Sequence, residues 1–165
     1  MITRRMMESY SDDLSVVFWV PGLAVPKGSV RAVPIRRADG STRLRLVQEQ
    51  GVSEFVATVR TCASRAFGLR PPWTGPVRLE VNFMFPRPKC HYRGGKPGPG
   101  RLRPSSPVSV TRRPDLDKVL RAVLDAISGV VIADDAQVAE IRATKEYVRE
   151  DRGPGVWVSI RRRPK

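Results

Sequence analysis

The run Val77-Arg78-Leu79-Glu80-Val81-Asn82-Phe83-Met84-Phe85 alternates apolar and polar side chains until its end. A period of two belongs to an extended chain with one face against a core, so the run reads as a strand. Further on the period lengthens. Leu116, Val119, Leu120, Val123, Leu124 and Ile127 recur at three- and four-residue spacing and draw an apolar stripe along a helix over residues 115–127. Pro114 suits the first helical position, where no N–H is needed, and Gly129 suits the end. Val130-Val131-Ile132 then reads as a short buried strand that runs into Asp134-Asp135. The chain carries both strands and helices and is read as α+β.

Upstream, Phe55, Val56, Val59, Cys62, Ala63 and Ala66 give a second amphipathic helix over residues 53–67, with Ser53 as N-cap and Gly68 past its end. Val16-Val17-Phe18-Trp19-Val20 is β-branched and aromatic, and reads as a strand ended by Pro21-Gly22. A basic loop over residues 24–31 follows, and Asp39-Gly40 suggests a hairpin turn among Arg36, Arg37, Arg43 and Arg45. Downstream, residues 138–148 fit a strand, with a helix as the alternative. Val156, Val158 and Ile160 fit a last strand before a basic tail. The expected architecture is a small mixed β-sheet packed against two main helices. It forms a single domain over residues 15–165, behind a flexible N-terminus over residues 1–14. Residues 86–114 are rich in proline, glycine and basic side chains. They are too long for an ordinary connection and read as a mobile loop able to lie over a substrate, with disorder of no functional consequence as the alternative.

Charge gives the first functional clue. Thirty Lys and Arg oppose sixteen Asp and Glu among 165 residues, a net charge of +14. Such an excess is self-repelling unless a polyanion is the usual neighbour, and nucleic acid is the commonest one. Part of the excess reflects a composition rich in Arg. No basic amphipathic helix suggests a membrane surface, and no apolar run approaches the about 18 residues of a membrane span. The opening segment lacks the apolar stretch of a secretory signal. Cys62, Cys90 and the single histidine, His91, have no zinc-ligand spacing, so a reduced, cytoplasmic chain is expected.

The chemistry-bearing segment is Arg113-Pro114-Asp115-Leu116-Asp117-Lys118-Val119-Leu120-Arg121, followed by Asp134-Asp135. Asp115 and Asp117 sit where extended chain enters a helix, and two-residue spacing there puts both on one side. The positive end of the helix favours their ionised form. If Asp115, Asp117 and Asp135 converge, two carboxylates 4 Å apart repel by roughly 4 kcal/mol at an effective dielectric near 20. A cation removes that cost. Oxygen ligands without His or Cys select a hard ion, Mg²⁺ or alternatively Mn²⁺. An acidic cluster in a basic chain suits phosphodiester hydrolysis, with Lys118, Arg121 or Lys145 on the scissile phosphate. Singly, each feature has a duller reading. Asp115 is an acid near a helix start, Asp117 with Arg121 is an exposed helix pair, and Asp134-Asp135 is a turn.

Taken together, Pro114-Asp115-Leu116-Asp117, the following helix, Gly129, Asp134-Asp135-Ala136-Gln137-Val138 and Lys145 resemble the signature of the RusA family of crossover-junction endodeoxyribonucleases. Val20-Pro21-Gly22 with Val25-Pro26-Lys27-Gly28-Ser29, and Gly75-Pro76-Val77, extend the resemblance loosely through the front half. The resemblance implies a homodimer that binds branched DNA, the four-way Holliday junction, and nicks it in pairs with Mg²⁺ in recombination and repair. It implies metal binding by Asp115, Asp117 and Asp135, and Asp134 is read as their support. The chain departs from the family pattern at Arg121, where the family carries a functional Lys, and at Lys118, where Asn is frequent. Lys27, Arg31, Arg36 and Arg37 are read as contacts to DNA backbone phosphates. Two rivals remain on the sequence: a non-catalytic basic DNA- or RNA-binding module, and a metal-dependent phosphatase for small substrates.

Overall fold

The computed structural model describes residues 10–11, 14–28, 31–47, 51–149 and 152–164. Most of the expected N-terminal flexible segment lies outside the described residues. Two-residue β1 (Tyr10–Ser11) joins β2 (Ser15–Pro21), and β3 (Arg31–Arg36) pairs with β4 (Thr42–Val47) as a separate antiparallel hairpin about Asp39-Gly40. Then come α1 (Val52–Phe67), β5 (Val77–Phe85), α2 (Leu116–Ile127), β6 (Val138–Tyr147) and β7 (Gly155–Arg162). The main sheet has the order β1-β2-β7-β5-β6. β7 runs antiparallel to both β2 and β5, and β6 runs parallel to β5, so the sheet is mixed. The parallel step is forced by α2, which carries the chain back between β5 and β6.

Burial follows the alternation. Val77, Leu79, Val81, Phe83 and Phe85 are buried, whereas Arg78, Glu80, Asn82 and Met84 are only half-buried. The buried face of β5 shares one core with Val16, Phe18 and Val20 of β2, the α1 residues Phe55, Val59, Ala63 and Phe67, and the α2 residues Val119, Val123 and Ile127. Both helices therefore bury an apolar stripe in the same core, which is what holds the α2 N-terminus in place.

Local details correct the sequence reading at four points. α1 begins at Val52, which is buried, so the N-cap is Gly51 rather than Ser53. Gly51 adopts φ 84°, a left-handed turn that suits glycine. Pro114 lies one residue before the N-cap of α2, and Asp115 takes the cap with extended φ −69° and ψ 140°. Val130-Val131-Ile132 is a turn closed on the helix end, not a strand. Val131 N–H and Gly129 N–H donate to the carbonyls of Ile127 and Ile132, and Ile132 forms isolated bridges to Trp73 and Ser128. Residues 86–114 are folded onto the body rather than free. Short 3-10 turns form at Lys89–His91 and Arg93–Gly95. Val110 N–H donates to the Lys145 carbonyl, and Tyr147 N–H donates to the Val108 carbonyl. Arg87 Nε donates to the Val148 carbonyl, its Nη1 donates to the Pro107 carbonyl, and the guanidinium lies over the Tyr147 ring. No helix among the described residues is long and apolar enough to cross a membrane.

Candidate active site

Two acid pairs survive as structural features, and they sit in different settings. The first is the N-terminus of α2. Asp115 occupies the N-cap, yet its carboxylate accepts no capping hydrogen bond from the helix. Its side chain is 54% exposed and stands 3.4 Å from the Lys118 ammonium. Asp117, in the first turn, is also exposed, as is Arg121 one turn further. Because this carboxylate does not cap, it is left to the Lys118 ammonium and to solvent, where a ligand can reach it.

The second pair precedes β6. Asp134 caps a short 3-10 turn at Asp135–Gln137 and accepts from Ala136 N–H at 2.8 Å. The Gln137 Oε1 accepts from Asp134 N–H at 2.8 Å, completing a reciprocal capping box. Gln137 Nε2 donates to the carbonyls of Trp73 and Gly75 at 3.0 and 2.9 Å, which ties the turn to the segment that leads into β5. Asp134 is therefore committed to local structure, and Asp135 beside it is exposed. Among the described residues no group of three or more His, Cys, Asp or Glu is gathered so as to hold a metal ion. The expected cluster of Asp115, Asp117 and Asp135 is thus not preassembled in the single chain.

Lys145 lies on β6 opposite Phe83 of β5. Its ammonium donates to the carbonyls of Arg112 and Pro114 at 2.9 and 2.7 Å, immediately before Asp115. Lys27 is also engaged. Its ammonium pairs with the Asp125 carboxylate, and its N–H donates to the Lys118 carbonyl at 3.0 Å. The loop before β3 is thereby tied along α2. Arg36 and Arg37 are exposed at the hairpin, while the side chain of Arg31 lies outside the described residues. Partial burial, with the Arg87 and Arg112 guanidinia nearby, holds His91 below the usual imidazole range, and its ring stands edge-on to Tyr147 at 4.8 Å.

A cavity of about 300 Å³ lies elsewhere, lined by Trp19, Asn82, Met84 and Trp157, which alternate with the core positions of their strands. It contains neither acid pair, so this cavity and the candidate chemistry do not coincide. The roles of Gln137 as a strut and of Asp125 as the partner of Lys27 were not foreseen. A glutamine three residues after Asp134 is the capping-box spacing, which was the available signal for the first.

The family model described as endodeoxyribonuclease RusA matches residues 24–161. A relative from Bacillus subtilis (strain 168), "Uncharacterized protein YqaN", is 34% identical over 142 residues, covering 82% of this chain and 85% of that protein. The match spans β3 to β7 and both acid pairs, and the α+β architecture agrees with it. On this ground the chain belongs to the RusA family of endodeoxyribonucleases.

Proposed function

We propose that the chain is a divalent-metal-dependent, structure-selective endodeoxyribonuclease that resolves four-way DNA junctions by paired phosphodiester cuts, acting as a homodimer in the cytoplasm. The observation that carries this reading is the α2 N-terminus, where two exposed carboxylates stand beside Lys118 in a family member of net charge +14.

The donor set fits a hard cation. Mg²⁺ typically takes one or two protein carboxylates and fills its remaining positions with water and phosphate oxygens. Asp115 and Asp117 would hold it, Asp135 would be the third carboxylate, and Asp134 keeps the Asp135 turn in shape. Such an ion supplies an acidified water and offsets charge on the attacking and leaving oxygens. The chain's own residues do the rest. Lys118 and Arg121 place positive charge beside the carboxylates, where a scissile phosphate accumulates negative charge. Arg121 is a guanidinium, so it is a stabiliser of charge only. Arg31, Arg36 and Arg37 reach phosphates away from the cut. Lys27 has its charge offset by Asp125, which reduces its phosphate role and makes it chiefly a tie between loop and helix.

The test is cleavage of a synthetic four-way junction against linear duplex of the same sequence. Preferential, symmetric cutting of the junction in Mg²⁺ is expected. Equal cutting of both substrates removes the junction preference and leaves the nuclease. A non-catalytic DNA-binding module is the second reading, favoured by the lack of a preassembled three-acid group among the described residues. It predicts that Asp117→Asn binds the junction no worse than the parent and that neither protein cuts it.

A further inference from the structure

Within the nuclease reading above, we propose that Lys145 is a positioning residue that fixes the Asp115–Asp117 carboxylates for metal and phosphate, and does not itself contact the scissile phosphate. Three observations lead there. Asp115 sits at the N-cap but makes no capping bond, so the backbone donors of the helix do not orient its half-exposed carboxylate, which leans on a 3.4 Å ion pair with Lys118. Lys145 donates to the Pro114 carbonyl, which belongs to the peptide group joined to the Asp115 nitrogen, and to the Arg112 carbonyl two residues earlier. The main chain of the same residue accepts from Val110 N–H, so a single strand position grips the incoming segment at residues 110, 112 and 114.

The strand gives this grip its rigidity. β6 is hydrogen-bonded to β5 over its whole length, and Phe83, the partner of Lys145, is fully buried. Residues 110–115 have no helix or strand of their own in this stretch. A flexible approach to a pair of mutually repelling carboxylates would let them splay apart, and small displacements of a reacting group are expensive in rate. Lys145 opposes this in two ways. It holds the backbone from which Asp115 projects, and it brings a positive charge to the same end of α2. An ammonium has three donors, and two of these are already spent on carbonyls. A flexible lysine meant to seize a phosphate would have them free.

The test compares Lys145→Met, Lys145→Gln and Lys145→Arg in the full chain. Single-turnover cutting of a bound four-way junction is read beside junction affinity in EDTA and its dependence on salt. Positioning predicts that Lys145→Met cuts about 10- to 100-fold more slowly, the range for residues that orient a metal site. Junction affinity and salt slope stay at the parent's values, and half-maximal rate needs more Mn²⁺. Lys145→Arg keeps donors and charge and recovers much of the rate. Lys145→Gln keeps a donor without charge and falls between. A weakened junction complex with a salt slope reduced by about one unit in Lys145→Met would instead make Lys145 a phosphate contact. Parent-like cutting by Lys145→Met overturns the positioning role as well. If Lys145→Met does not fold, the Gln variant decides, because a phosphate contact predicts loss of salt slope there and positioning does not. Failure of the nuclease reading is separate: it shows as no cutting by the parent protein.

Discussion

The α2 N-terminus and the turn before β6 carry the same chemical units, two aspartates each, and use them in opposite ways. At the turn, Asp134 closes a capping box with Gln137 and spends its carboxylate on the backbone. At the helix, Asp115 holds the equivalent capping position and spends nothing on it. A carboxylate that satisfies backbone donors stabilises the fold. One that declines them leaves negative charge in solvent, where only a cation or a basic partner rewards it. The comparison separates an acid committed to backbone donors from one left to Lys118 and solvent.

The largest expected effect comes from neutralising the helix pair. Asp117→Asn is expected to slow junction cutting by about a thousandfold, near the 4 kcal/mol upper range for removing one group that stabilises transition-state charge, while junction affinity is kept or improved. Rapid-quench cleavage and a binding titration read the two parts. Asp134→Asn, which can still cap, should change cutting little, and an equal loss in both variants would erase the distinction between the pairs.

Next in size is Gln137→Ala. It removes the strut to the Trp73 and Gly75 carbonyls and half of the capping box. A destabilisation of about 1–3 kcal/mol is expected in urea unfolding, the usual consequence of stranding part-buried polar groups. The two N-caps provide a finer contrast. Asp134→Ala should cost about 1 kcal/mol through loss of a true cap. Asp115→Ala should stay within about 0.5 kcal/mol of the parent, as for a surface change, despite occupying the same kind of position. A larger loss in Asp115→Ala would show that its carboxylate caps after all. A comparably small effect belongs to the Lys27–Asp125 pair, whose side chains are 33% and 32% exposed. Lys27→Met should cost less than about 1 kcal/mol, the usual ceiling for a solvent-screened ion pair.

The sequence carried the periodic elements well. β5 and α2 were legible because burial on one face imposes a period that side chains must obey, and the hairpin was legible from Asp39-Gly40; β6, which has no fully buried face, left strand and helix both open. Element ends were less so. Ser53 looked like a cap because its side chain suits one, but the buried Val52 drew the helix a residue further back and left Gly51 to make the turn. Val130-Val131-Ile132 looked like a strand because a short apolar run has no period of its own; its backbone bonds close on α2 instead. The segment over residues 86–114 read as a loop because its anchors, Lys145, Tyr147 and Val148, lie far along the chain. At the candidate site the two acid pairs were legible as motifs in the sequence, but their commitments were not, and no three-acid group is gathered among the described residues. Nothing in the letters says that Asp134 caps while Asp115 does not, or that Lys145 turns to carbonyls. Those outcomes depend on which backbone groups the fold leaves nearby.

The account stands on the helix carboxylates holding the ion that cuts DNA. Electron paramagnetic resonance of Mn²⁺ added to the junction complex tests this most directly, comparing the parent with the Asp115→Asn/Asp117→Asn double variant. The account predicts tightly bound Mn²⁺ in the parent complex and none above background in the double variant, with junction affinity intact in both. Equal tight binding of Mn²⁺ by the two proteins would contradict it.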